Sequence, residues 1–145
     1  MLVQVDELNI FVATGGKIFD PDLPTILFLH GSGGDHRTWA MQTRWFAYNG
    51  FSVLAPDLPG HSLSDGNAFS TIEESVWLAK FLNTLGVDKV HLVGHSQGFL
   101  TALAFAEHHN DLVRSITAIG TAAEIPVNEH LIKTAETSRD KAAEM

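Results

Sequence analysis

One junction constrains the fold of this chain more than any other. The apolar run KVHLV (89–93) passes through Gly94-His95-Ser96-Gln97-Gly98 and straight into the apolar stretch QGFLTALAFAE (97–107). A short buried strand continuing at once as an apolar helix must turn sharply at the serine, because both elements lie against the same sheet. The glycines suit such a turn, since side chains at positions 94 and 98 would collide with each other. The turn would hold the Ser96 hydroxyl in reach of a base, which a serine needs to act as a nucleophile at neutral pH. The plainer reading is a strand-to-helix turn whose glycines serve packing alone.

The rest of the chain alternates strand and helix around that junction. Leu2–Val5 and Asn9–Thr14 read as a hairpin, Thr25–His30 as a buried strand, Thr38–Tyr48 as a helix stopped by Gly50, and Phe51–Ala55 as the next strand. Pro56–Phe69 is an irregular loop. Ser70 opens an S-x-x-E capping box with Glu73 for a helix that runs to Leu85 and ends at Gly86. Short connections between alternating elements imply parallel pairing and right-handed crossovers, hence the α/β class: a mostly parallel sheet of about six strands with helices on both faces. Ligands bind at the carboxyl ends of such strands, where His30, Asp57 and Ser96 fall.

The strand at Thr25 empties into Gly31-Ser32-Gly33-Gly34, whose backbone N–H groups can face a ligand. Acyl transfer passes through a negatively charged tetrahedral intermediate, and one preorganised N–H donor is worth roughly 3 kcal/mol in the barrier. The N–H groups of Ser32 and Gln97 are the candidate donors, and Gln97 also opens a helix whose positive end favours an anion. A phosphate-cradling loop fits poorly, since neither G-x-x-x-x-G-K-[ST] nor G-x-G-x-x-G stands at this turn.

With HGSGG at His30–Gly34 and Trp39 close behind, PDLPGHSLSDG at Pro56–Gly66 and GHSQG at Gly94–Gly98, the chain resembles the α/β-hydrolase superfamily. It looks most like the capped esterase, lipase and haloperoxidase-like branch. The resemblance implies a serine hydrolase of carboxylic esters with Ser96 as nucleophile and Ser32 and Gln97 as oxyanion donors. It makes His30, Gly31, Gly94, His95 and Gly98 supporting residues of the site, with His30 and His61 as loop-shaping residues within their motifs. It also implies an incomplete α/β-hydrolase fold: residues 1–125 as the N-terminal part of the core, and 126–145 as the start of a cap or lid. Serine at the elbow counts against dehalogenase and epoxide hydrolase chemistry, which uses aspartate in related enzymes. Gln97 in place of tryptophan counts against the proline aminopeptidase branch.

In that family the order along the chain is nucleophile, acid, histidine, the last two on loops after later strands. Here the elbow helix is followed by one strand, Arg114–Ile119, then GTAAEIPV and a polar helical tail from about Asn128 to Met145. Of eight histidines, His95 should point away from its neighbour Ser96, His91 lies in a strand, and His108 and His109 suit a helix C-terminus. His36 and His130 stand on segments free to approach Ser96 as a base, and Glu124 just past the last strand is the candidate acid. Asp57 reads as a loop-fixing carboxylate. Trp39, Trp45 and Trp77 read as core or cleft wall. The second expectation is a non-catalytic fragment, or half of a split hydrolase, whose edge near Arg114 would bind a homo-oligomeric copy or a C-terminal hydrolase half.

Composition narrows the partners. Among 145 residues, 45% hydrophobic, a net charge of −8 without a basic run argues against nucleic acid and an anionic membrane surface. No cysteine and no H-E-x-x-H leave no metal site expected, and no cofactor is implied. The N-terminus lacks a signal-peptide pattern and no run approaches a membrane span, so the expected compartment is the cytoplasm. Trp39, Phe69 and Phe99 point to a small apolar ester-like substrate.

Overall fold

Every residue of the strand Thr25–Leu29 is buried, yet its side chains alternate between two separate apolar clusters. That is the signature of a strand covered on both faces. The computed structural model describes residues 1–138. Strands β1 (Leu2–Val5), β2 (Leu8–Ala13), β3 (Thr25–Leu29), β4 (Ser52–Pro56), β5 (Val90–His95) and β6 (Val113–Ile119) form one six-stranded sheet in the order β1-β2-β4-β3-β5-β6. The β3, β4, β5 and β6 pairings are parallel; the hairpin β1–β2 and its junction with β4 are antiparallel. The sheet is thus mostly parallel, with helices on both faces, as the alternation predicts.

On one face Ile26, Phe28, Val53 and Ala55 pack with Trp39 and Ala47 beneath helix α1 (Ala40–Ala47). On the other, Leu27, Leu29, Leu54 and Leu92 meet α2 (Thr71–Thr84) and α3 (Gln97–His109) through Leu78, Phe81, Leu82, Ala102 and Phe105. The capping box at Ser70 is formed in full: Glu73 N–H donates to Ser70 Oγ at 3.3 Å, and Ser70 N–H to Glu73 Oε2 at 2.8 Å. Gly50 and Gly86 end their segments at φ 89° and 68°.

Two local expectations need correction. The helix read over Thr38–Tyr48 begins instead as a 3-10 turn, His36–Trp39, and becomes α-helical only at Ala40. The Asp35 side chain caps that turn at Arg37 N–H, while His36 N–H is drawn to Asp57, so the first turn winds tighter. Trp39 and Trp77 are core, but Trp45 is 60% exposed. The last helix, α4 (Glu129–Thr137), follows an exposed loop, and the remainder of the tail lies outside the described residues.

Candidate active site

The chain leaves β3 for β4 on one side and returns to β5 on the other, so the strand order reverses between β3 and β5. Clefts form outside the carboxyl ends of strands at such a switch point. The register pairs Leu29 with Gly94, which brings His30 and Gly31 level with His95 and Ser96. A Cβ on Gly31 would stand 3.1 Å from Ser96 Cβ, so the glycine loop abuts the serine.

Ser96 occupies φ 52° and ψ −120°, a region that costs a non-glycine residue about 1–3 kcal/mol and survives only where its surroundings fix it. They do. Ser96 N–H donates to Ile119 O at 3.2 Å, while Ser96 O accepts from Phe99 N–H and from the Thr121 hydroxyl, each at 3.1 Å. Among the described residues no group hydrogen-bonds the Ser96 hydroxyl.

The flanking glycines are required by the backbones around them, and a Cβ on Gly94 would also stand 2.7 Å from the backbone of Gly98. A Cβ on Gly94 would lie 2.4 Å from the backbone of Phe99, and one on Gly98 would lie 2.4 Å from Leu29 O and 2.6 Å from His30 O. The collisions are with the backbones of α3 and of the β3 end. Opposite the elbow, Gly34 N–H donates to Gly31 O at 3.0 Å, closing a turn with Ser32 and Gly33 at its tip. The Ser32 hydroxyl donates to Gln97 Oε1, so the two residues expected to supply oxyanion donors are joined side chain to side chain.

His30 is fully buried beneath this loop. Its Nδ1 meets Gly31 O at 2.8 Å and its Nε2 accepts from Leu58 N–H at 3.0 Å, which fixes the neutral tautomer protonated at Nδ1. Burial pushes its pKa below the ordinary value. The His61 ring stands edge-on at 4.9 Å. The His95 imidazole is flanked by Gly31 and Gly120.

The other candidates are not gathered around Ser96. Asp57 Oδ1, fully buried, accepts from both His36 N–H and His36 Nδ1 at 2.8 Å, and Oδ2 from Leu63 N–H at 3.2 Å. The His36 ring also rests on Phe11, with centroids 4.7 Å apart. His36 is therefore clamped rather than free to approach, and Asp57 fixes its loop as the sequence implies. Glu124 and His130 are exposed, His130 in the first turn of α4 with its N–H on Asn128. Phe69 lines a groove of about 320 Å³ between the hairpin and α2, with Leu8, Ile72 and Trp77, and not the elbow.

Asp35, His36 and Asp57 place ligand atoms within 4.8 Å of one another, a cluster that sequence spacing did not reveal. Its oxygens are engaged: Asp57 as above, Asp35 by the Arg37 guanidinium, which holds the Asp35 carboxyl far below the usual carboxylate range. Sequence reading also passed over Glu74, fully buried on α2 with its carboxyl on the Thr101 hydroxyl at 2.6 Å.

The family model described as the alpha/beta hydrolase fold matches residues 24–141, and the chain belongs to that family. It is similar to the dihydrolipoyllysine-residue acetyltransferase component of the acetoin cleaving system of Cupriavidus necator, at 33% identity over 66% of this chain and 26% of that protein. It is also similar to a 2-hydroxy-6-oxononadienedioate/2-hydroxy-6-oxononatrienedioate hydrolase of Paraburkholderia phymatum, at 36% identity over 66% of this chain and 35% of that one. The chain thus spans well under half the length of these two relatives. A solved structure from work on carboxylesterases of Nitrososphaera gargenis superimposes with a TM-score of 0.81 over 99% of this chain and 56% of its own, at 21% identity. That likeness is one of fold. Among the described residues no helix is long and apolar enough to cross a membrane.

Proposed function

We propose that this chain carries the nucleophile and oxyanion hole of a serine hydrolase acting on small apolar carboxylic esters. The observation that carries the reading is the Ser96 elbow: a non-glycine residue held at φ 52°, its hydroxyl unengaged among the described residues, with the glycine loop in contact across the β3–β5 cleft. In this reading Ser96 Oγ attacks the ester carbonyl and its proton passes to a base. The N–H groups of Ser32 and Gln97 receive the developing oxyanion, and collapse expels the alcohol and leaves an acyl-serine for water to hydrolyse. The Ser32–Gln97 side-chain bond supports the assignment, because it ties the two donors into one preorganised unit.

The base and acid are the second part of the proposal. With His36 clamped by Asp57 and with Glu124 and His130 exposed, we assign both roles to polypeptide that adds to the sheet beside β6, with residues from 126 onward leading into a cap. The exposure of β6 supports this: none of its residues is buried, and Ile119 is 42% exposed. The chain alone would then show only the residual catalysis of an oxyanion hole, roughly 10³–10⁴-fold over water.

The test is turnover of a short-chain nitrophenyl ester by the purified chain and by Ser96→Ala, each with and without the C-terminal portion of a related hydrolase. Strong turnover only with the added portion and only with Ser96 is expected. Strong Ser96-dependent turnover by the chain alone would move the base inside residues 1–145, and none under any condition would refute the hydrolase reading.

A further inference from the structure

The carboxyl of Glu74 has no part in the reaction above. The Glu74 carboxyl is fully buried between α2 and α3; Oε2 meets the Thr101 hydroxyl at 2.6 Å, and Oε1 has no partner among the described residues. An orphaned buried oxygen calls for an explanation, and it is far less costly on a neutral acid than on a carboxylate. Burial accordingly pushes the Glu74 pKa up, against the pull of Thr101 and of His61, the ionisable side chain whose charge bears on it.

Thr101, equally buried, stands one helical turn after Gln97, with its hydroxyl 3.4 Å from Gln97 O. A hydroxyl has one hydrogen to give. If Glu74 is ionised, the Thr101 hydroxyl must donate to it, and Gln97 O keeps only the helical Thr101 N–H. If Glu74 is neutral, its own O–H donates to Thr101 and frees the threonine hydrogen for Gln97 O. Glu74 and Thr101 join α2 to α3 in either state, and the acid's proton decides whether the Gln97 carbonyl, in the first turn of α3, is tied to that pair as well. Gln97 opens that turn, follows the nucleophile, and holds Ser32 by its side chain.

We propose that Glu74 is a positioning residue for the nucleophile elbow, which it holds through the Thr101 hydroxyl and the Gln97 carbonyl. The inference rests on the hydrolase reading for its catalytic meaning, but its structural half can be read without turnover.

The experiment combines amide hydrogen exchange across residues 94–103 with the rate at which a fluorophosphonate labels Ser96. Both are measured on the full chain as wild type, Glu74→Leu and Glu74→Gln, with labelling followed from pH 5 to 9. Expected are roughly tenfold faster exchange and several-fold slower labelling in Glu74→Leu without a fall in Tm, and recovery of both in Glu74→Gln. Wild-type labelling should also decline relative to Glu74→Gln as pH rises and Glu74 ionises. Wild-type exchange in Glu74→Leu, or identical pH profiles for wild type and Glu74→Gln, would overturn the proposal. If Glu74→Leu does not fold, Thr101→Val takes its place with the same expectations. If no variant labels, as a chain without its base allows, the exchange data alone, taken at pH 5 and at pH 9, decide whether Glu74 holds the turn; the hydrolase reading is judged separately by the assay with the added C-terminal portion.

Discussion

β4 and β6 are parallel neighbours of the same central pair, yet they live in different surroundings. Every residue of β4 is buried, whereas none of β6 is. β4 has β3 on one side and β2 on the other, with α1 on one face and the α2–α3 layer on the other. β6 has β5 on one side and, among the described residues, no strand beyond it. The elbow sits between these regimes. Its serine follows β5, but its glycine loop grows from the fully buried β3, and its backbone is pinned from the open side by Ile119 O and Thr121. The difference teaches that the elbow straddles both halves: the glycine loop and the first turn of α3 rest on the closed side at β3, while the Ser96 backbone is held from the open side by β6 and its following loop.

The most severe way to break that arrangement is Gly98→Val, which drives a side chain into the Leu29 and His30 carbonyls. Backbone clashes of this kind do not relax, and we expect a loss of about 4 kcal/mol or more, read as a collapsed urea midpoint. Next, Leu54→Ala should cost about 2–5 kcal/mol, because Leu54 is fully buried, while Ile119→Ala should cost under about 1 kcal/mol. Equal losses in chemical denaturation would erase the contrast between the strands. Asp57→Ala should cost about 2–4 kcal/mol by leaving His36 and Leu63 N–H groups without their acceptor, with its first effect in hydrogen exchange of residues 57–66.

The smallest expected effect is a pH slope. Burial lowers the His30 pKa from its ordinary 6.5, so the unfolded chain holds that proton more tightly than the folded one. The stability His30 contributes is full above pH 6.5 and drains as pH falls through its lower folded value. The difference in unfolding free energy between wild type and His30→Gln should shift against the wild type on going from pH 8 to pH 5. A flat difference would mean that the folded chain takes up the His30 proton as readily as the unfolded one.

What was legible in the sequence was local. The capping box at Ser70, the glycines at 50 and 86, the buried strands and the elbow all declare themselves within a few residues, because their physics acts over a single turn. The Asp57–His36 clamp joins positions 21 residues apart and depends on β3 and β4 ending side by side, which no short window reveals. Helical spacing makes Trp45 read as core or cleft wall, but α1 turns that face outward and leaves it 60% exposed. Glu74 does carry a sequence signal: it falls on the stripe shared by Trp77, Leu78, Phe81 and Leu82, where an acid among apolar residues marks a buried carboxyl.

The absent side chain at Gly98 has a practical meaning for redesign. Because the first turn of α3 rests on the carbonyls that close β3, serine and glycine loop share one footing, and a shift of that footing carries both together. Cleft width and nucleophile alignment are therefore separate adjustments. An engineer can alter residues away from that footing without resetting the angle at which the Ser96 hydroxyl is presented.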